Sequence, residues 1–251
     1  MTGPQTDTEI SEASLNLLWS NWTEWVRPRR GLRLIITALG VKRAQWRGED
    51  RETETADAAF RKAREGVLDA QQHTCQFCGF SAQSGIEVHH LDDNHRNNDP
   101  SNFAAADGLC HGDHHIGQVG SQKDGVLASV PLTIEDLNHL QRTIQVALQS
   151  GDKKYADRAK RMVRYLVGRR GPIEAAFGTS DPSEWAEALL GLTPGQYDRR
   201  ADLMQGVGLV YHPKRFASQA RRWAEEEYRA LPPARWEQIH ARYSPTAASA
   251  G

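Results

Sequence analysis

The chain has 251 residues, of which 39% are hydrophobic and 25% are charged, and its formal net charge at pH 7 is −1. This composition is typical of globular proteins and argues against a wholly disordered chain. The near-zero net charge gives no overall attraction to nucleic acid, so nucleic-acid binding would require a local basic patch. Two runs of basic residues lie within residues 27–47 and 153–170, and the second is interpreted as the solvated face of a helix.

The longest apolar stretch, residues 34–41, has about half the length that a membrane-spanning helix needs. The N-terminus lacks a basic segment followed by an apolar segment, so we expect no signal peptide. The sequence therefore predicts a cytoplasmic protein without direct membrane insertion. Any association with the inner membrane would come through partners.

In chain order, the first predicted elements belong to an N-terminal extension, residues 1–55. Three tryptophans spaced three apart, Trp19, Trp22 and Trp25, indicate a short amphipathic turn. Residues 31–42 are rich in β-branched side chains and predict a short strand. A helix is expected from about Ala56 to Gln71, because its apolar residues fall on one face.

The segment 126–243 is predicted to be mainly helical, because cap residues and prolines recur at the starts of apolar periodic runs. Glycines follow several of these runs, as is common at helix ends. The last residues, 244–251, are small and polar and are predicted to form a disordered tail. The start signals, in chain order, are Thr133 with Asp136, Asp152, Asp181 with Pro182, Thr193 with Pro194, Pro213, and Pro232 with Pro233.

All three cysteines and seven of the ten histidines lie between His73 and His115. Cys75 and Cys78 are separated by two residues and followed by Gly79, which is the spacing of a zinc knuckle. An odd number of cysteines in a chain without a signal peptide favours thiolate metal ligands over disulfides.

Cys110 supplies a third thiolate. Asp113 stands where a second Cys-x-x-Cys pair would place its other cysteine, so it is predicted as the fourth zinc ligand. His114 and His111 are the alternatives for that position. The segment 56–125 is therefore predicted to be a zinc module.

Between the two halves of this cysteine pattern lie a strand-like run, residues 86–92, and a polar loop. The arrangement is similar to the HNH endonuclease motif, in which a ββα, treble-clef unit holds a catalytic divalent metal beside a structural zinc. The resemblance implies that His89 and His114 bind the catalytic metal, such as Mg²⁺, that His90 is the general base and that Asn102 orients it. A neutral imidazole takes a proton from water near pH 7, while the metal stabilises charge on the phosphate.

Two alternatives remain open at this point. The histidines are either catalytic or serve only as structural ligands and their hydrogen-bond partners. His95, His111 and His115 are interpreted as polar loop residues. If His114 binds a catalytic metal, the zinc retains only the three cysteines and Asp113.

Short motifs continue along the chain from Ala56 to about Ile239. In chain order they are Thr74–Phe80, Asn94–Asn98, Ser101–Asn102, Val119–Gly120, Pro131–Thr133, Asp136–Asn138, Pro172–Glu174, Phe177–Gly178, Pro182, Arg215–Phe216, Trp223–Ala224, Leu231–Pro232 and Trp236. Together they resemble the IcmJ/DotN component of type IVB (Dot/Icm) secretion systems and its relatives in conjugation systems.

This resemblance implies an HNH-like fold with a four-cysteine zinc site. It also implies a role in a coupling complex, in which the component binds the extended C-terminal region of the membrane ATPase. The chain departs from the family pattern because Asp113 stands where a cysteine is expected, and because it retains His89, His90 and His114.

We therefore expect an α+β protein with an HNH-like zinc module and a mainly α-helical C-terminal half. The favoured function is a zinc-binding adaptor of a coupling complex, whose partners are the coupling ATPase and other subunits. The alternative is a metal-dependent HNH endonuclease that cleaves DNA, and a nucleic-acid-binding zinc module without catalysis comes third.

Overall fold

The computed structural model describes residues 35, 37–42, 53–94 and 97–243. The turn expected around Trp22, the tail expected at 244–251 and His95 lie outside these residues. Residues 37–42 were expected in a strand but are not in one. Their backbone groups bond instead to helical segments and side chains: Gly40 N donates to the carbonyl of Asp113 (2.8 Å) and Val41 N donates to the Tyr197 hydroxyl (2.9 Å).

The described residues contain eleven helices and four strands. The helices are α1 Thr53–Ala70, α2 Gly108–Asp113, α3 Ile116–Ser121, α4 Ile134–Gln149, α5 Lys153–Gly168, α6 Arg170–Phe177, α7 Pro182–Leu190, α8 Pro194–Asp198, α9 Arg200–Leu203, α10 Ala217–Glu225 and α11 Pro233–Tyr243. The strands are β1 Ile86–His90, β2 Phe103–Asp107, β3 Gly125–Ser129 and β4 Val207–Tyr211, and a 3₁₀ turn, Pro100–Asn102, precedes β2. The expected mixture of α and β structure is confirmed.

The first sheet consists of β1 and β2, paired antiparallel from Ile86↔Asp107 to His90↔Phe103. Helix α1 packs on this sheet through Val67 and Leu68, and the cluster they form includes Phe103. Helix α2 begins directly after β2. Two antiparallel strands are thus followed by a helix in the segment that contains the cysteines.

Four of the six predicted helix starts after the first sheet, at Thr133, Asp152, Asp181 and Thr193, are confirmed by side-chain caps. The helix expected after Pro213, by contrast, begins only at Ala217 and has no side-chain cap. The Thr133 hydroxyl accepts a hydrogen bond from Asp136 N (3.1 Å) at the start of α4, and Asp152 caps α5 by accepting one from Lys154 N (2.9 Å). Thr193 forms a complete capping box at α8. These caps satisfy backbone N–H groups that a helix leaves without partners.

The second sheet was not predicted from the sequence. Strands β3 and β4 pair antiparallel from Gly125↔Tyr211 to Ser129↔Val207, within the half expected to be helical. Helix α4 lies against β4, where the side chain of Gln141 donates to the Leu209 carbonyl (2.9 Å) and accepts from Tyr211 N (2.8 Å). Helix α6 was also not predicted.

The largest hydrophobic cluster joins the two halves of the chain. It contains Leu109 and Ile116 from the segment 56–125 together with Leu127, Leu209 and Trp223 from the segment 126–243. The domain boundary near residue 125 stays a prediction. Among the described residues, no helix is both long and apolar enough to cross a membrane.

Candidate metal centre

Three cysteines and one aspartate converge in the interior next to the first sheet. The thiol sulfurs of Cys75, Cys78 and Cys110 and a carboxylate oxygen of Asp107 all lie within 4.8 Å of one another, and all four residues are buried. Three thiolates and one carboxylate are a donor set that suits tetrahedral zinc. The residues present therefore fit a metal ion of this kind.

The turn that carries the first two cysteines is fixed by backbone hydrogen bonds. Gly79 N donates to the Cys75 carbonyl (2.9 Å), and Gly79 has a φ of 75°, a conformation that favours glycine. Gln76 N donates to the Ala105 carbonyl (2.8 Å), which ties the turn to β2. This bond places the two thiols over the end of β2, where Asp107 and Cys110 follow.

Asp107 joins the end of β2 to the start of α2. Its Oδ1 accepts hydrogen bonds from Leu109 N (2.9 Å) and Cys110 N (3.3 Å), and its Oδ2 accepts from the Cys78 thiol (2.9 Å) and from Arg142 (2.8 Å). Burial raises the pKa of this carboxyl, but Arg142 and these hydrogen bonds lower it to about 2. Asp107 is therefore a carboxylate at neutral pH and is available as a ligand.

Helix α4 supplies polar side chains around the four candidate ligands. Arg142 contacts Asp107, and its Nη2 lies 3.6 Å from the Cys78 sulfur. Asn138 donates from Nδ2 to the Cys110 sulfur (3.3 Å), and the His139 ring contacts the Cys78 carbonyl through Nε2 (2.9 Å). Such partners orient metal ligands and tune their charge. They also connect the candidate metal centre to the helical half of the chain.

The three thiols differ in their acidity when no metal is present. Burial raises the pKa of Cys75, but hydrogen bonds from Cys110 and Cys78 bring it down to about 5. Burial raises the pKa of Cys78 and of Cys110 well above the ordinary thiol value. Cys75 is therefore the most acidic of the three thiols, and a bound cation would drive the deprotonation of Cys78 and Cys110.

Asp113, expected as the fourth ligand, is not part of this group. Its Oδ2 accepts a hydrogen bond from Asn138 (2.6 Å), and its Oδ1 is buried with no partner among the described residues. Burial raises the pKa of Asp113 well above its ordinary value, which makes this carboxyl a poorer metal ligand than Asp107. Asp107 takes the ligand position that was expected for Asp113. It lies three residues before Cys110, where β2 meets α2, whereas Asp113 lies three residues after Cys110.

A second group is formed by three histidines of the same unit, of which His89 is buried and His111 and His115 are partly exposed. One ring nitrogen from each of His89, His111 and His115 lies within 4.8 Å of the other two. His114, expected here, instead stacks on the His89 ring with a centroid distance of 4.6 Å. Its Nε2 is buried and has no hydrogen-bond partner among the described residues.

The chemistry of this group suits metal binding. Burial lowers the pKa of His89 far below its ordinary value, and the neighbouring imidazoles of His114, His111 and His115 lower it further, so His89 is neutral. Glu87 contacts Nδ1 of His111, which leaves Nε2 of that ring as the nitrogen with a free lone pair. Imidazole ligands favour a transition metal such as zinc or nickel over the Mg²⁺ that was expected.

His90 and Asn102, expected as base and orienting residue, both contact the loop between β1 and the 3₁₀ turn. His90 packs between Phe60 and Phe103, and its Nε2 lies 3.3 Å from Oδ1 of Asn98. Asn102 donates to Oδ1 of Asp92 (2.8 Å) and to the Asn97 carbonyl (2.9 Å). Asn102 therefore shapes the loop that presents Asn98 to His90.

The histidines face a cavity of about 730 Å³. Its lining includes His89, His90, His111 and His115, and further residues come from other segments: Lys42, then Phe60 and Arg64 of α1, and Ser183, Ala186, Glu187 and Leu190 of α7. This volume lies within the usual range for ligand-binding cavities. The cysteine group, by contrast, is enclosed by protein.

Sequence reasoning missed Asp107 as a site residue. It interpreted His115 and His111 as polar loop residues, with His111 also an alternative zinc ligand, and did not place them with His89. The signal for Asp107 was present, since Asp107-Gly-Leu-Cys110 repeats the two-residue gap of Cys75 and Cys78. The signal for His111 and His115 was their separation by four residues, which places two side chains on the same face of a helical turn.

Comparison with known proteins adds evidence from the whole sequence. No family model matches the chain. The chain is similar to a type IV secretion protein. The Type 4 apparatus protein DotN of Legionella pneumophila is 28% identical to it over 173 residues, which cover 67% of this chain and 80% of DotN. This similarity supports the relationship to Dot/Icm secretion proteins that the sequence motifs suggested.

Proposed function

We propose that this chain is a metal-binding accessory subunit of a type IVB secretion or conjugation coupling complex, in which it binds the C-terminal region of the coupling ATPase. The observation that carries the proposal is the similarity to DotN over 173 residues. This alignment is longer than residues 56–125 or residues 126–243 taken alone, so it extends beyond the metal module.

The geometry of the cysteine group supports a structural role for its metal. Cys75 and Cys110 are fully buried, and Cys78 is 3% exposed. A catalytic zinc keeps an open coordination position, whereas a structural zinc is enclosed by its ligands. Zinc at Cys75, Cys78, Cys110 and Asp107 would hold the turn, β2 and α2 together against α4. The module is HNH-like in this proposal, and its metal serves folding.

The test is co-expression of the full chain with the C-terminal region of a coupling ATPase encoded in the same genome. We expect the two to co-elute in size-exclusion chromatography and to form a complex of defined stoichiometry in sedimentation. The control is the nucleotide-binding domain of the same ATPase, which should not bind. Failure of the C-terminal region to bind the folded, metal-loaded chain would contradict the proposed partner.

A second candidate function, a metal-dependent endonuclease, is favoured by the histidine cavity. His89, His111 and His115 would hold a divalent metal there, with His114 supporting His89 by stacking. Such a metal would polarise the phosphate and stabilise the leaving oxygen. His90 lines the same cavity, where its imidazole would take the proton of the attacking water.

This candidate is tested by metal content and by cleavage together. We expect two metal ions per chain in wild type, one in His115→Ala, and two in His90→Ala. DNA cleavage should be lost in His90→Ala although its metal content is unchanged. One metal per wild-type chain, or cleavage that survives in His90→Ala, would rule out this function.

A further inference from the structure

The position of the histidine cavity restricts what can reach it, and this restriction rests on the nuclease candidate above. His89 and His90 are each 4% exposed, so they are reached only by a group that enters the cavity. A phosphate that stays on the outer surface of the protein would remain out of reach of both imidazoles. The substrate must therefore insert its reacting phosphate.

One wall of the cavity comes from the helical half of the chain and is held rigidly. Helix α7 packs on α3 so closely that a Cβ on Gly120 would lie 2.1 Å from Ser183 N. A Cβ on Gly117 would lie 3.0 Å from the Cβ of Ala186. Because backbone atoms make the tightest contact, α7 has little freedom to swing away and widen the cavity.

A second part of the lining comes from α1, which is also fixed. Arg64 of α1 lines the cavity and donates from Nη2 to the Ile86 carbonyl (3.0 Å), which ties the helix to β1. Phe60 of the same helix stacks on the His90 ring with a centroid distance of 5.2 Å. A phosphate that reaches His90 must therefore enter a cavity lined by two fixed helices.

The charged side chains among the described residues that line the cavity do not form a basic surface for a nucleic-acid duplex. Two cations, Lys42 and Arg64, stand against three carboxylates, those of Glu87, Asp93 and Glu187. Proteins that bind duplex DNA electrostatically contact several phosphates with Lys and Arg side chains. Here the attraction for a phosphate would come mainly from one metal centre.

We infer that the histidine cavity takes a single phosphodiester of an unpaired nucleic-acid strand and excludes an intact duplex. An unpaired strand bends freely and inserts one phosphate into the cavity. A duplex is stiff and would meet the fixed helices before its phosphate reached His90. Because the fixed helices exclude a duplex, the substrate class is unpaired nucleic acid.

The test compares one oligodeoxynucleotide, unpaired and annealed to its complement, as substrates of full-length protein loaded with Mn²⁺ or Ni²⁺. We expect the unpaired strand to be cleaved roughly 100-fold faster, since misplacement of a reacting group by about 1 Å already costs that factor. His90→Ala serves as the control for contaminating nuclease. Binding of the unpaired strand by His90→Ala should weaken with salt with a log–log slope near about −0.7, the value for one phosphate.

Variants at the cavity rim test the walls directly. Leu190 is 41% exposed and Glu187 is also exposed, so Leu190→Ala and Glu187→Ala should fold normally. Both should raise the rate on the duplex relative to the unpaired strand. Glu184→Ala, on the same helix but outside the cavity lining, should leave the ratio unchanged.

The outcomes separate this inference from the function on which it rests. Equal rates on the two substrates would overturn the substrate class while the nuclease function stands. A steep salt dependence of binding would likewise overturn it, because it would reveal contacts to many phosphates. No cleavage of either substrate by protein with the histidine metal bound would overturn the nuclease function and this inference with it.

Discussion

The buried ion pair between Arg142 and Asp107 allows a quantitative prediction. Both side chains are fully buried, and Nη2 of Arg142 lies 2.8 Å from Oδ2 of Asp107. The substitution Arg142→Met keeps an apolar chain of similar reach but leaves the carboxylate without its cation. Removal of one partner of a buried pair costs about 3–5 kcal/mol.

The expected loss depends on the metal. In metal-free protein, Arg142 is the cation that faces Asp107, so the free energy of unfolding should fall by the full 3–5 kcal/mol or so. A bound divalent cation also compensates the carboxylate, so the loss should be smaller in metal-loaded protein. Arg142 further lies over the Phe80 ring, with 3.8 Å between Cζ and the ring centroid, and that contact is lost in both forms.

The assay is urea unfolding of metal-free and metal-loaded protein, followed by tryptophan fluorescence. Arg161→Met, at an exposed position of α5, is the matched control and should change stability by no more than about 0.5 kcal/mol. The double variant Asp107→Asn with Arg142→Met should lose less than the sum of the single variants. Stability of Arg142→Met equal to that of the control would refute the reasoning.

Three further predictions concern packing, the histidine group and pH. Gly120→Ala should lower the free energy of unfolding by about 1–3 kcal/mol, because the new Cβ would collide with Ser183 N. As its control, Gly66→Ala should stabilise α1 by roughly 0.5–1 kcal/mol, because a Cβ at Gly66 meets nothing within 4 Å. Chemical denaturation measures both changes. Glu87→Ala should weaken binding of Ni²⁺ to the histidine group by about 10–100-fold in calorimetric titration, since Glu87 orients the His111 ring, and unchanged affinity would show that it does not. Burial, followed by the charge of His111, lowers the pKa of His114 from 6.5 to about 4, so the unfolded state binds the extra proton and stability should fall as pH drops through that window. His114→Phe should reduce this slope in metal-free protein, and an unaltered slope would assign it to other groups.

The elements that the sequence predicts well are those with local signals. Thr133, Asp152 and Asp181 mark helix starts because each cap bonds to a backbone N–H two or three residues away. The predicted cysteine cluster likewise depends on short spacings. These features need no knowledge of distant parts of the chain.

The features that the sequence does not predict depend on distant partners. The pairing of β3 with β4 joins two segments that are separated by six helices, α4 to α9, and each strand is short enough to be taken for a loop. The burial of Arg142 follows from Asp107, which is distant in sequence, and no periodicity in α4 indicates it. The choice of Asp107 over Asp113 depends on which side of Cys110 faces Cys75 and Cys78.

The most direct test of the proposed metal centre is X-ray absorption at the zinc edge on two proteins, His115→Ala, in which the histidine group is emptied, and the double variant His115→Ala with Asp107→Cys. In His115→Ala we expect one zinc with three sulfur ligands at about 2.3 Å and one oxygen ligand at about 2.0–2.2 Å, changing to four sulfur ligands in the double variant. A histidine signal in the His115→Ala spectrum, the same spectrum in both proteins, or the absence of tightly bound metal would contradict the proposed metal centre.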